Sequence, residues 1–108
     1  MHWITSERFL EHRTGRHPEC PGRIDAVRDA VERGPSARRY LRPSPFRAAA
    51  REDLLAVHEP SLLDALERLE ASRGGFADPD TVVGAGSVEV ARLAAGAAIA
   101  AAECALRA

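Results

Sequence analysis

The chain has 108 residues, which is enough for one domain with a modest core but short of the roughly 200 residues or more of a complete large α/β enzyme. Its net charge of −1 and its 45% of apolar residues are ordinary for a globular protein, so neither a nucleic acid nor a membrane is expected as a partner. The two cysteines are too few for a disulfide framework, and a reducing cytoplasm is the expected location.

The N-terminal third predicts one strand, one loop and one helix. The apolar stretch His2–Ile4 predicts a first strand, and the polar stretch Ser6–Cys20 predicts a long ordered loop. A helix opens at Pro21, because proline is tolerated in a first turn and apolar residues then recur at helical spacing. Gly34 and the proline after it end this helix.

Weaker elements are predicted in the middle of the chain. Ser36–Pro45 is interpreted as a loop with a turn of helix at Ala37–Leu41, and Phe46–Ala50 as a short strand. A short helix is predicted over Asp53–His58, because the acidic residues at its start suit the positive end of a helix dipole.

The C-terminal half predicts two long helices. The first begins at Pro60 with a stripe of leucines and ends at Gly74, and Phe76–Val88 is interpreted as a loop. The second covers Ser87–Arg107, with Ser87 as its N-cap, and is apolar on every face over Leu93–Ala102. Such a helix is normally buried on more than one side, and little in this chain is available to cover it. The mismatch indicates a part of something larger.

A first candidate site is a metal centre in the N-terminal loop. His12, His17 and Cys20 lie close together in sequence, and His58 and Cys104 are distant candidates. Zinc sites with such close spacing usually have a second ligand pair elsewhere, and none is evident. The alternative is that His12 and His17 order the loop through hydrogen bonds.

A second candidate site involves Asp78, Asp80 and Arg23. The two carboxylates are spaced for acid–base work, but aspartates in a proline-containing turn also accept backbone N–H groups. Arg23 lies at a helix N-terminus, where its charge opposes the dipole, so an external acceptor is favoured. Cys20 has no identifiable base to activate it as a nucleophile.

Four segments in this order resemble the N-terminal third of the zinc-dependent histone deacetylase family. The closer similarity is to class II and to bacterial enzymes resembling acetylpolyamine amidohydrolases. The resemblance covers essentially the whole chain. The segments are SERFLEHRTGRHPECPGRI (Ser6–Ile24), EDLLAVHEPSLLDAL (Glu52–Leu66), DPDT (Asp78–Thr81) and SVEVARLAAGAA (Ser87–Ala98).

The resemblance implies an α/β fold, the N-terminal portion of an arginase/deacetylase-like three-layer α/β/α sandwich that is mostly helical within this chain. It implies an amidohydrolase that removes acetyl groups from lysine or polyamines, with zinc and a His pair activating water. The family segments that hold the zinc ligands and the His pair have no match here. Residues 1–108 are therefore expected to form a partial domain that is inactive alone, with no catalytic or metal-binding residue and no cofactor of its own.

The resemblance also implies roles for individual residues. Arg23 matches an arginine that lines the family's internal cavity beneath the zinc. Asp80 or Asp78 matches the aspartate that binds the substrate backbone at the pocket rim, with Asp80 preferred. His12 and His58 match structural positions. Leu62 departs from the family pattern, which has tyrosine there.

Two other readings remain open. In the first, the chain is a stand-alone module that associates through its apolar last helix. Its partner would be a second copy or the complementary C-terminal part of a split deacetylase. In the second, it is a small unrelated metal-binding protein.

Overall fold

A computed structural model describes residues 1–107, and of Arg38 it describes only the backbone. The described residues span 45 × 33 × 18 Å along their principal axes. The radius of gyration is 15.5 Å, whereas a compact domain of this length has a value of about 13 Å. The chain is therefore flatter and more open than a self-contained domain.

Helices make up most of the regular structure. The α-helices are α1 (Gly22–Glu32), α2 (Ala37–Tyr40), α3 (Arg51–Leu55), α4 (Pro60–Ala71) and α5 (Ser87–Leu106). The strands are β1 (His2–Trp3), β2 (Arg42–Pro43), β3 (Gly75–Asp78) and β4 (Thr81–Val83), and a 3₁₀ helix spans Glu7–Glu11. The predicted first strand and the helices predicted from Pro21, Pro60 and Ser87 are confirmed.

The prediction of a loop over Phe76–Val88 is wrong, because β3 and β4 form an antiparallel hairpin there. Gly75 pairs with Val83 and Phe76 with Val82. The strands are short and the Phe76 side chain is exposed, so the sequence lacks the alternation of apolar and polar residues that would predict a strand. Gly74, at a φ of +84°, joins α4 to the hairpin, and a Cβ there would lie 2.3 Å from the Val83 carbonyl oxygen.

The prediction of a strand over Phe46–Ala50 is also wrong, because this segment binds a helix. The backbone N–H of Ala49 donates to the Arg92 carbonyl at 2.9 Å, and the Arg92 guanidinium donates twice to the Ala49 carbonyl at 3.2 Å. The segment crosses α5 at Gly96, where a Cβ would lie 1.8 Å from the Arg47 carbonyl oxygen. The backbone N–H and carbonyl of Ala49 thus pair with Arg92 of α5 and not with a partner strand.

Four smaller corrections concern two loops, a helix cap and a short helix. Ser36–Pro45 contains the predicted helical turn but also β2, which pairs with β1 in parallel. Ser6–Cys20 begins with the 3₁₀ helix, which Ser6 caps: the backbone N–H of Arg8 donates to the Ser6 hydroxyl. The N-cap of α5 is Gly86, at a φ of +81°, and Ser87 is the first helical residue. The short helix predicted over Asp53–His58 forms two residues earlier, as α3.

The core lies along one side of α5. The buried apolar residues of the described chain are Ala37, Ala49, Leu63, Val83, Val90 and Leu93. The 3₁₀ helix and α4 pack against α5, and α1 packs against the 3₁₀ helix. This arrangement leaves an open face between α1 and α5.

Candidate functional site

The open face between α1 and α5 is a groove of about 700 Å³, which we call the α1–α5 groove. Its floor is apolar, and its rim carries the imidazole and carboxyl groups of two loops. The floor is formed by Ile24 and Val27 of α1 and by Val90, Ala94 and Ala97 of α5, and the rim by His17, Glu19, Arg23 and Asp80. The predicted site residues of two distant segments therefore meet at one groove.

A hydrogen bond joins the two loops at the rim. Nε2 of His17 lies 2.9 Å from Oδ1 of Asp80, although the two residues are 63 positions apart. The His17 side chain is 16% exposed and that of Asp80 is 91% exposed. The carboxylate of Asp80 is thus held by a mostly buried ring while its other oxygen faces solvent.

The two aspartates of the hairpin turn have different partners. Oδ1 of Asp78 accepts the backbone N–H of Asp80 at 2.8 Å, and its Oδ2 accepts the Thr81 hydroxyl at 2.7 Å. These hydrogen bonds, the one from Asp80 first, lower the pKa of Asp78 below its usual value because they stabilise the carboxylate. Both oxygens of Asp78 serve the turn, whereas Asp80 keeps an oxygen available.

Arg23 lies at the groove with its guanidinium largely exposed. Its partner is the Glu19 carboxylate, one helical turn earlier in the chain. The sequence favoured an external acceptor for Arg23, whereas the structure pairs it with Glu19 of the same chain. An exposed pair of this kind is readily exchanged for another partner, because surface ion pairs contribute little.

His12 orders the backbone where the N-terminal loop meets α5. Nδ1 of His12 lies 2.8 Å from the Ser87 hydroxyl, which in turn accepts the backbone N–H of Gly84 at 2.8 Å. This small network joins the N-terminal loop to the start of α5. The interpretation of His12 and His17 as loop-ordering residues is confirmed by these bonds.

The metal candidates do not converge. In the described part of the chain, no group of three or more His, Cys, Asp or Glu residues is placed to hold a metal ion. Cys20 lies at the α1–α5 groove, His58 lines a second groove and Cys104 lies near β1. The residues present therefore do not fit a zinc centre.

The second groove, of about 270 Å³, lies between α3, α4 and α5. Leu62 lines it together with Leu66, Ala91 and Ala95, and 45% of Leu62 is exposed. The position at which Leu62 departs from the family pattern is thus beside a gap in the packing.

Two residues that organise the site were not predicted in these roles. Thr14 is buried and donates its hydroxyl to the Glu19 carbonyl at 2.5 Å, which closes the loop that carries His17. Ser87 is buried and joins His12 to Gly84. A polar residue at a helix start was the one available signal for Ser87, and Thr14 had none.

The fold is the α/β deacetylase-like class. The crystal structure of the HDA15 HD domain matches 89% of the chain, with a TM-score of 0.77 and 26% identity, and the match covers 29% of that protein. The mixture of long helices and short strand pairs agrees with this class.

A comparison with models of protein families identifies the family of the chain. The model of the histone deacetylase domain matches residues 17–108. The chain therefore belongs to the histone deacetylase family. Three curated relatives are named as probable deacetylases or as a histone deacetylase-like amidohydrolase. The site residues Asp78, Asp80 and Arg23 all lie inside the matched range.

Two relatives illustrate the match. A histone deacetylase-like amidohydrolase of Pseudomonas aeruginosa is 40% identical over 104 residues, which is 96% of this chain and 26% of that protein. A probable deacetylase of Methanothermobacter thermautotrophicus is 38% identical over 104 residues, covering 96% of the chain and 30% of the relative. The chain spans less than a third of the length of the curated relatives it matches. None of the helices among the described residues combines the length and apolar character that crossing a bilayer requires.

Proposed function

We propose that the chain is the N-terminal segment of a zinc-dependent deacetylase that, when complete, hydrolyses the amides of acetyl-lysine or of acetylpolyamines, and that this segment alone is inactive. The observation that carries the proposal is the family match over residues 17–108, within which two loops meet at the rim of one groove. The names of the relatives support the reaction class. A cytoplasmic location stays a prediction from the sequence.

The complete domain would be a three-layer α/β/α sandwich, with the open face of this chain against its missing layers. The parallel pairing of β1 and β2 supports this, because parallel sheets are normally covered on both faces. The apolar floor of the α1–α5 groove supports it as well, because a contiguous exposed apolar patch marks an interaction surface.

In this proposal Asp80 is the rim residue that accepts N–H groups of the substrate. Asp80 has an exposed, partly unpaired carboxylate, whereas both oxygens of Asp78 accept bonds within the turn. Arg23 would line the internal cavity and exchange Glu19 for the acetate product. Asp78 would shape the turn that presents Asp80.

Zinc in the complete family enzyme would act as a Lewis acid on the amide carbonyl. The residues that this chain brings to the α1–α5 groove would bind and orient the substrate. No proton transfer is assigned to any of its groups.

A chimera tests the proposal. Residues 1–108 would replace the matching segment of the Pseudomonas aeruginosa relative, and the chimera, the parent and the isolated chain would be assayed on an acetyl-lysine peptide and an acetylpolyamine. We expect activity from the chimera and none from the isolated chain. Deacetylation by the isolated chain with zinc bound stoichiometrically would contradict the proposal, as would a folded chimera without activity.

A second proposal concerns association, and the exposed apolar residues favour it. Val27 at the α1–α5 groove is 56% exposed, and Ile99 and Leu106 of α5 are 40% and 87% exposed. We propose that the groove binds the complementary C-terminal part of a deacetylase, or a second copy of this chain where that part is absent.

Analytical ultracentrifugation of the isolated chain tests this second proposal. We expect self-association that Val27→Glu weakens, because a charge in the groove resists burial. The matched control is Ala26→Glu, which adds the same charge at an exposed neighbouring position of α1 outside the groove. A strictly monomeric chain that also fails to bind the co-expressed remainder of the Pseudomonas aeruginosa relative would refute association.

A further inference from the structure

The rim of the α1–α5 groove contains an exposed carboxylate that is nevertheless held in place. Exposed aspartates ordinarily sample several rotamers, because nothing opposes their rotation in water. Asp80 is 91% exposed, yet its Oδ1 lies 2.9 Å from Nε2 of His17, a ring that is 16% exposed. The partner that holds the Asp80 carboxylate is therefore His17 of the N-terminal loop.

The ring of His17 is itself oriented by the backbone. Its Nδ1 accepts the N–H of Glu19 at 3.0 Å, so in the neutral ring Nδ1 carries no proton. The hydrogen of the neutral ring must then be on Nε2, which is the nitrogen that faces Asp80. Both nitrogens are used, and they define one tautomer and one ring orientation.

The backbone of Asp80 is fixed separately from its side chain. The Asp78 carboxylate accepts the N–H of Asp80 and the hydroxyl of Thr81, which closes the turn. With Oδ1 bound to His17, the remaining oxygen of Asp80 is free to accept hydrogen bonds from an external donor. The donor that fits is an N–H group, such as a peptide amide or a polyamine ammonium.

We propose that His17 is a positioning residue that fixes the carboxylate of Asp80 before substrate arrives, with Oδ1 facing the N-terminal loop and Oδ2 facing the substrate. The assignment rests on the proposed function in one respect, namely that the donor belongs to an acetylated peptide or polyamine. Holding the side chain in its bound rotamer removes an ordering cost from binding, so its loss raises KM by about 3–10-fold and leaves kcat unchanged.

Two conservative variants separate the two bonds of His17. The amide nitrogen of glutamine reaches about as far as Nε2, so His17→Gln keeps a donor for Asp80 and loses the acceptor for Glu19. Asparagine reaches about as far as Nδ1, so His17→Asn keeps the acceptor for Glu19 and loses the donor for Asp80. A merely structural role in the N-terminal loop predicts that the asparagine variant is the better tolerated of the two.

The first measurement uses the isolated chain and needs no activity. Nitrogen-15 shifts of the His17 ring report its tautomer, and the Hα–Hβ couplings of Asp80 report its χ1 rotamer. We expect a protonated Nε2, one Asp80 rotamer in the wild type and in His17→Gln, and rotamer averaging in His17→Asn. Equal averaging of Asp80 in all three proteins would overturn the assignment.

The second measurement uses the chimera described above. We expect His17→Asn to raise KM by about 3–10-fold at constant kcat, and His17→Gln to remain near the wild-type KM. Equal kinetics for the two variants in an active chimera would overturn the positioning role. An inactive wild-type chimera would instead refute the proposed function, and the Asp80 couplings of the isolated chain would then decide the role of His17.

Discussion

The close crossing of α5 by the segment before α3 makes Gly96 the most demanding position in the fold. A methyl group there would lie 1.8 Å from the Arg47 carbonyl oxygen and 2.9 Å from the Ala49 backbone nitrogen. Carbon–oxygen contacts in proteins are about 3.3–3.6 Å, so Gly96→Ala must displace the crossing segment by roughly 1.5 Å. Such a displacement breaks the three hydrogen bonds between Ala49 and Arg92.

Two opposing contributions set the change in the free energy of unfolding. Three hydrogen bonds at about 1 kcal/mol each are lost, and the higher helix propensity of alanine returns about 1 kcal/mol. We therefore expect Gly96→Ala to lower the free energy of unfolding by about 2 kcal/mol, which corresponds to a decrease in Tm of about 8 °C or more.

Urea unfolding followed by far-UV circular dichroism provides the assay, with a thermal melt beside it. The matched control is Gly22→Ala in the first turn of α1, where the added Cβ would meet only the Cys20 sulfur at 3.9 Å. That variant should be neutral or slightly stabilising, because it reduces the freedom of the unfolded chain. The reasoning is refuted if Gly96→Ala is as stable as the wild type or more so.

Three further expectations concern the hairpin turn and the second groove. Hydrogen bonds lower the pKa of Asp78 in the folded chain. The ionised carboxylate should therefore stabilise the turn fully at pH values above the usual aspartate pKa of about 3.9. This stabilisation should be lost as the pH falls through the lowered pKa of the folded state. The Thr81 amide shift should therefore change with acidification in the wild type and less in Asp78→Asn, and equal profiles would show that Asp78 does not control the turn. Asp78→Ala should disorder the hairpin turn at neutral pH, seen as weaker amide protection at Asp80, whereas Asp78→Asn should keep it. Leu62→Tyr should fill the groove between α3, α4 and α5 and raise the free energy of unfolding by about 0.5–1 kcal/mol, with Ser61→Tyr at an exposed neighbouring position as a control that gains nothing.

The helices could be predicted because their signals are local. Pro60 is the first residue of α4, and Pro21 directly precedes α1. A glycine follows the end of each helix, Gly34 after α1 and Gly74 after α4. The meeting of His17 with Asp80 at one groove had no local signal, since 63 positions separate them. The resemblance implied pocket roles for Arg23 and Asp80, and the structure adds the contact between His17 and Asp80 that joins their two loops.

The strands were poorly predicted because short strands carry little periodicity. β1 and β2 have two residues each, and the exposed Phe76 removes the alternation from β3. Phe46–Ala50 had the apolar character of a strand, but the backbone groups of Ala49 bind α5, and no sequence pattern distinguishes a helix from a strand as their partner.

The parallel pair β1–β2 sets an order on the folding of the chain. His2 pairs with Arg42, so closing this pair orders a loop of about 40 residues, whereas the hairpin β3–β4 closes over a single tight turn. During translation, β1 emerges first and must wait ~2–8 s for β2 at the usual rate of synthesis. β1 is thus made well before β2, and it cannot be fixed in place until β2 has been made.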